Sequence, residues 1–272
     1  MDKKLKVYLN YDAETKEYSI IPQELEAHHI YAFGADVTDT IEELITLIDD
    51  VQFFEYNNDD VETDSQEIIG LLLEIIPQCK VSDEDKRYID TVNLMMRQHF
   101  GQKDKAGKDY YFHPTRVSAR LDLIEDKIVA LLHDTIEDTG LTSEELLQLG
   151  YSQDTVDAIL SVTRKEGESY ADFIARANTN QTGRLVKMAD LEDNMDIRRL
   201  PDLTEKDWHR LNKYLHAYHY LNHDMKRTIH HSSKKKHHAE HQELFHPSAR
   251  PRPVPAQRTR LFGQGAHRLH QP

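Results

Sequence analysis

The chain reads as mainly α: a helical bundle over about residues 82–222, preceded by a small α/β module over residues 1–80 and followed by a basic tail over residues 227–272. Three observations lead there. From Ser82 onward, apolar residues recur at three- and four-residue spacing through one segment after another, joined by short polar loops. Residues 1–33 instead alternate and are rich in aromatic and β-branched side chains, in KLKVYLNYD, EYSIIP and HHIYAFG, which reads as strand. After about Arg227 apolar residues thin out; eight of the chain's 17 histidines lie there among Pro, Arg and Gln, a composition that buries no core and reads as disorder.

The elements follow in order. In DVTDTIEELITLIDDV, Asp39 and Glu42 have capping-box spacing, and Ile41, Leu44, Ile45, Ile48 and Val51 share one face. EYNNDDVETDSQ reads as a loop, and EIIGLLLEII as a second helix stopped by Pro77. Ser82 caps SDEDKRYIDTVNLMMRQHF, whose core residues are Ile89, Val92, Leu94, Met95 and Met96. Pro114 suits the first turn of HPTRVSARLDLI. EDKIVALLHDTIED is helical, and LTSEELLQLG opens on a capping box of Thr142 and Glu145 and stops at Gly150. SQDTVDAILSVT, SYADFIARAN, GRLVKMADLEDNMD and TEKDWHRLNKYLHAYHYL complete the set, with Trp208, Tyr214, Tyr218 and Tyr220 expected in the core.

The formal net charge of −14 hides a split: residues 227–272 carry +7 and residues 1–226 carry −21. So acidic a body argues against wrapping nucleic acid, whose phosphates need cations. A small phosphorylated ligand remains open if a metal supplies positive charge. Cys79 is the only cysteine, so no internal disulfide forms, which fits a reducing, cytoplasmic setting. MDKKLKVYLNYDAE lacks the apolar run of a signal peptide, and no stretch is long and apolar enough to span a membrane.

The stretch LLHDTIEDTG places His133, Asp134, Glu137 and Asp138 in an apolar run. Burying ionisable groups is costly unless they are paired or hold a metal. On one continuous helix His133 stacks over Glu137 and Asp134 over Asp138. VKMADLEDNMD sets Asp190 and Asn194 one turn apart with Lys187 a turn earlier; Asp193 and Asp196 are expected on the solvated face. YFHPTR offers His113, whereas His99 is expected to be a structural hydrogen-bonder. A site of His113, His133, Asp134 and Asp190 mixes imidazole with carboxylate, which suits Mn²⁺, Fe²⁺ or Zn²⁺ better than Mg²⁺.

Together HFGQKDKAGKDYYFHPTRVSARL, IVALLHDTIEDTGLT and RLVKMADLEDNMD resemble the HD-domain hydrolase module of the RelA/SpoT-type alarmone enzymes and their small hydrolase-only relatives. The resemblance runs from about Ser82 to Tyr220 and rests on HP, HDxxED and ADxxxN in that order. It implies a mostly helical HD-type bundle, one metal ion, usually Mn²⁺, and removal of the 3′-pyrophosphate from guanosine tetra- or pentaphosphate. Carried over by motif, it makes His113, His133, Asp134 and Asp190 the metal ligands, and Glu137 and Asp138 the groups that orient or activate water. Asn194 becomes a nucleotide contact. Lys105 lies in the basic segment before the HP motif, and with Lys187 it would offset phosphate charge. The family often has Arg where Asp104 stands and Thr or Ser where Ala106 stands, so recognition of the base does not carry over. Two other readings keep the site. One changes the substrate to another 3′- or 2′-phosphorylated nucleotide such as NADPH; the other is a nucleotide-sensing, antitoxin-like module that meets a protein partner through residues 1–80. Long members of the family carry a synthetase domain after the hydrolase; residues after Tyr220 do not read as one, so alarmone synthesis is not expected.

Overall fold

Strand β1 (Lys3–Asp12) is the spine of the N-terminal sheet in the computed structural model, which describes residues 3–22, 25, 30–56, 71–105, 107–199 and 202–223. Alternation sets its faces: Leu5, Val7 and Leu9 are buried, while Lys4, Lys6 and Tyr8 face outward. β2 (Glu17–Ile20) runs antiparallel to it with Leu9 opposite Ile20, and β3 (Ala32–Gly34) runs antiparallel to β2. Helix α1 (Val37–Tyr56) covers the apolar face with Ile41, Leu44, Ile45 and Ile48.

Two expectations fail in this region. Residues 71–77, within the segment read as a second helix, form strand β4 (Leu71–Pro77), parallel to β1 with Leu5 opposite Leu73 and Val7 opposite Ile75. The sheet order is β3-β2-β1-β4 and the module is β-β-β-α-β. A short run of consecutive apolar residues has no period to separate helix from strand. Pairing with β1 decides the matter, and Leu71, Leu73 and Ile75 point into the core. The outer edge of β4 is closed by the Asn93 side chain, which accepts from the Ile75 amide (2.8 Å) and donates to its carbonyl (2.9 Å). The second failure is the Asp39–Glu42 capping box. α1 starts three residues earlier, and Asp36 caps it by accepting from the Asp39 amide (2.8 Å). Glu42 is instead buried and paired with Lys127.

Helix α2 (Asp83–Gln98) opens on a capping box of Ser82 with Asp85 and carries Tyr88, Ile89, Val92, Met95 and Met96 into the same core. α3 (Phe112–Ser118) has Pro114 in its first turn. The segment read as one helix through residues 125–138 is broken. α4 (Ile124–Leu132) ends at His133, and a separate short helix α5 (Thr135–Thr139) begins after Asp134. α6 (Ser143–Gln148) keeps the Thr142–Glu145 capping box. α7 (Gln153–Val162), α8 (Tyr170–Ala177) and α9 (Gln181–Asn194) follow. Gly183 lets α9 press onto α7, because a Cβ there would sit 1.9 Å from Ser161 Oγ. The last described helix, α10, covers residues 205–223.

The sheet, α1, α2, α4 and α7 share one apolar cluster. A second, smaller cluster joins Phe173, Ile174, Met188 and Leu191 to Ala217 and Leu221 of α10. Tyr214 and Tyr218 pack partly against it, but Trp208 and Tyr220 are exposed, because α10 touches the body through one narrow face. Among the described residues no helix is long and apolar enough to cross a membrane. The tail, the loop residues after Tyr56, positions 67–70 and the Val51 side chain lie outside the described residues.

Candidate active site

Four elements deliver one cluster. α3 carries His113, the end of α4 carries His133, the start of α5 carries Asp134, and α9 carries Asp190. His113 Nε2 lies 3.2 Å from Asp190 Oδ1 and 3.7 Å from Asp134 Oδ2. His133 Nε2 lies 3.0 Å from Asp134 Oδ2 and 3.8 Å from Asp190 Oδ1. Donor atoms sharing one ion at bonds of about 2.1 Å stand roughly 3 Å apart, so this spacing fits a single divalent metal. One atom of each of His113, His133 and Asp190 lies within 4.8 Å of the other two, and all three side chains are buried. His133 Nε2 is fully enclosed and makes no well-formed hydrogen bond, with Asp134 Oδ2 3.0 Å away. A buried lone pair facing two carboxylates and a second imidazole fits a metal ligand.

The helix break accounts for the aim of His133. As the C-cap of α4 its Nδ1–H donates to the Ala130 carbonyl (2.6 Å), which leaves the Nε2 lone pair for the site. His113 is aimed by a side chain. Its Nδ1–H donates to Asp193 Oδ2 (2.8 Å), and Asp193 is fully buried rather than solvated. Asp193 in turn meets Arg116 Nε (3.0 Å) and Arg120 Nη1 (3.3 Å). The expected solvated face was wrong here because α9 turns Asp193 toward α3, where two arginines await it. Asp196 is half-buried and paired with Arg198.

Electrostatics mark the cluster as a cation site. Burial alone pushes the Asp134 and Asp190 carboxyls upward. The imidazoles overcome this for Asp134 and Lys187 leads in doing so for Asp190, holding both below the usual carboxylate range. Burial works against charge on the histidines, yet hydrogen bonding to Asp190 and Asp193 lifts His113 to about 9, and Asp134 and Asp190 raise His133. Ionised carboxylates facing imidazoles that attract protons hold positive charge either as protons or as a metal, so metal uptake releases protons. Lys187 Nζ pairs with Asp190 Oδ2 (2.7 Å), and Asn194 donates to Asp190 Oδ1.

Above the cluster opens a cavity of about 480 Å³. His113, Asp134, Asp190, Glu137, Asp138, Lys105, Lys187 and Asn194 all reach its wall, whereas His133 lies beneath it. Asp138 is exposed at the cavity wall; partial desolvation, then Asp134 and Glu137, push its carboxyl above the usual range. Glu137 Oε2 accepts from the Arg164 amide (3.0 Å), tying α5 to the segment after α7. The His99 ring, fixed by Gln102 at its Nδ1 (2.8 Å), packs on Tyr110, whose hydroxyl donates to Asp134 (2.6 Å). Sequence reasoning missed Arg164, Arg210 and Lys213, which join Lys105 and Lys187 on the wall of this otherwise acidic body. It also missed Tyr170 and Tyr214, whose rings flank Lys213 Nζ at 4.4 and 5.2 Å. Asp104 lines the cavity too and accepts from the Lys108 amide (3.0 Å).

No family model matches the chain. Individual proteins do. Over 130 residues, 42% of the chain, it is 35% identical to a GTP pyrophosphokinase of Myxococcus xanthus, of which this covers 17%. Over 110 residues, 36% of the chain, it is 31% identical to a guanosine-3′,5′-bis(diphosphate) 3′-pyrophosphohydrolase of Aquifex aeolicus, of which this covers 16%. Over these stretches the chain is similar to RelA/SpoT-type proteins. A 58-residue stretch, 20% of the chain, is 47% identical to the GTP pyrophosphokinase rsh of Brucella ovis, covering 8% of that protein. The match thus spans less than a fifth of the length of these curated relatives. Among solved structures, the chain is similar to a metazoan ortholog of SpoT described as hydrolysing ppGpp, with 21% identity, a TM-score of 0.44, 53% of this chain covered and 87% of that one.

Proposed function

We propose that this chain is a metal-dependent phosphohydrolase that removes the 3′-pyrophosphate from guanosine tetra- or pentaphosphate, using Mn²⁺ held by His113, His133, Asp134 and Asp190. The observation that carries the reading is one juxtaposition: a largely buried two-histidine, two-carboxylate cluster at the floor of a cavity walled by six cations, Lys103 among them. An ion bound there would act as a Lewis acid, lowering the pKa of water toward neutrality and drawing charge from phosphoryl oxygens.

The chain's own residues supply the rest. Asp138 stands at the cavity wall as the proton acceptor for the attacking water, its carboxyl already raised toward the working range. Glu137, tied to the Arg164 amide, fixes the position of α5 and hence of Asp138. The O3′–P bond breaks, pyrophosphate leaves with the water oxygen, and the ribose oxygen takes a proton. Lys105, Arg164, Arg210 and Lys213 offset the phosphate charge, and Asn194 and Lys187 hold Asp190 in place. A cytoplasmic setting, where such nucleotides are made, agrees with the single cysteine.

Asp104 on the cavity wall, where the family often has arginine, favours a second reading, in which the nucleotide is NADPH or another phosphorylated nucleotide, because recognition of guanine by that arginine does not carry over. One experiment separates the two. Guanosine tetraphosphate, NADPH and nucleoside triphosphates are incubated with the protein, with and without Mn²⁺, and the products resolved by chromatography. Pyrophosphate release from guanosine tetraphosphate alone, dependent on Mn²⁺, is expected. Phosphate release from NADPH with the alarmone untouched would transfer the proposal to the second reading. No turnover with metal bound would leave a binding module.

A further inference from the structure

Both histidine-bearing helices are tied to α1 by ion pairs, one buried and one half-buried. Glu42 of α1 receives Lys127 of α4 through both carboxylate oxygens (2.7 and 2.9 Å), and Tyr88 and Ser118 donate to the same carboxylate. Two turns further along α1, Asp49 accepts from Arg116 Nη1 (2.8 Å) and pairs with Lys108. Arg116 is bifunctional. Its Nη1 faces Asp49, while its Nε and Nη2 hold Asp193 at 3.0 and 3.3 Å. Asp193 then receives the Nδ1–H of His113 at 2.8 Å. An unbroken chain of charge-assisted hydrogen bonds therefore runs from α1, which covers the sheet, to an imidazole of the candidate metal cluster.

We infer that Asp49 is a positioning residue for the metal centre, and that the N-terminal sheet-and-helix module is part of the working site rather than an appendage. A planar guanidinium can serve two carboxylates only if both stay in place. Without Asp49, Arg116 loses one of its two anchors, and its grip on Asp193, which Arg120 shares, is set less firmly. His113 is then aimed less tightly. Partners that orient a metal-binding histidine are worth about 10–100-fold in metal affinity, and Asp49 stands one bond further out, so a loss of roughly 3–10-fold is expected.

The inference rests on the proposed metal site, and the test keeps the two apart. Full-length Asp49→Asn is titrated with Mn²⁺ alone by calorimetry beside the parent. In parallel, the His113 ring Hδ1 resonance is followed by NMR in metal-free protein. The expected result is weaker Mn²⁺ binding, a smaller metal-induced rise in Tm than the parent shows, and faster solvent exchange of the His113 Hδ1 proton. Asp49→Glu should recover part of each. Arg116→Lys, which keeps a cation but cannot bridge both carboxylates, should reproduce the loss and stands in if Asp49→Asn does not fold. Parent-like Mn²⁺ affinity and Hδ1 exchange in either folded variant would overturn the inference. If the parent itself takes up no Mn²⁺, the metal reading falls and the imidazole signal alone decides whether α1 positions His113.

Discussion

His113 and His133 present the same nitrogen to the same cluster but are aimed by different means. His133 is set by its own helix: the Ala130 carbonyl, freed where α4 ends, takes its Nδ1–H. His113 is set by Asp193, and Asp193 by two arginines and, through one of them, by α1. A backbone acceptor three residues away is local and cannot be removed by substitution. A buried carboxylate is a tertiary device, open to mutation and to movement of the elements that carry it. One side of the cluster is thus built in, and the other depends on the assembled fold.

The bluntest way to break this comparison is to remove a ligand from the built-in side. His133→Ala should lose bound metal and turnover together, and its Tm should no longer respond to added Mn²⁺, because metal binding couples to stability. Full metal occupancy in the purified variant would remove His133 from the ligand set. The next largest effect leaves both histidines alone. Asp138→Asn should retain the metal and lose about 10²–10⁴-fold in turnover, the usual worth of one general base. A rate within about threefold of the parent would place the proton acceptor elsewhere. Asp193→Asn tests the tertiary side directly: it keeps the shape but not the charge that holds Arg116. Metal affinity should fall about 10–100-fold in calorimetry, with the helical circular dichroism preserved. Equal affinities would show that His113 needs no carboxylate behind it. The smallest effect belongs to the cavity wall. Lys213→Ala should raise KM about tenfold or less with kcat little changed, and should flatten the salt dependence of kcat/KM.

The cluster was legible in the sequence because its members announce themselves locally. His133 and Asp134 interrupt an apolar run, His113 adjoins a helix-starting proline, and Asp190 has Lys187 and Asn194 one turn to either side. Their convergence followed from the order of motifs, and the structure brings all four together. What serves Asp193 was hidden, since Arg116 lies far away in the chain. The available signal was a pair of arginines, Arg116 and Arg120, one turn apart beside a buried helix. Arg164, Arg210 and Lys213 were equally hidden: each sits in a segment whose approach to the cavity depends on how α7 and α10 pack. Helices with a clear period and a capping residue were read correctly, as with Ser82 and Thr142. Strand β4 was misread because a run without period takes its state from its neighbour.

That neighbour has a consequence for how the protein is made. β1 and β4 are parallel, so Lys3 pairs with Leu71 and Leu9 with Pro77 across the whole of the intervening module. Closing so long a stretch costs chain entropy that the local contacts of α4 or α9 do not incur, and non-local pairing slows folding. During refolding the helices carrying His113, His133 and Asp190 should therefore gain ellipticity first, with the sheet latching later. Through Asp49 and Glu42, the sheet's covering helix is also the last support to reach the histidines. Mn²⁺ uptake in refolding should accordingly lag behind helix formation.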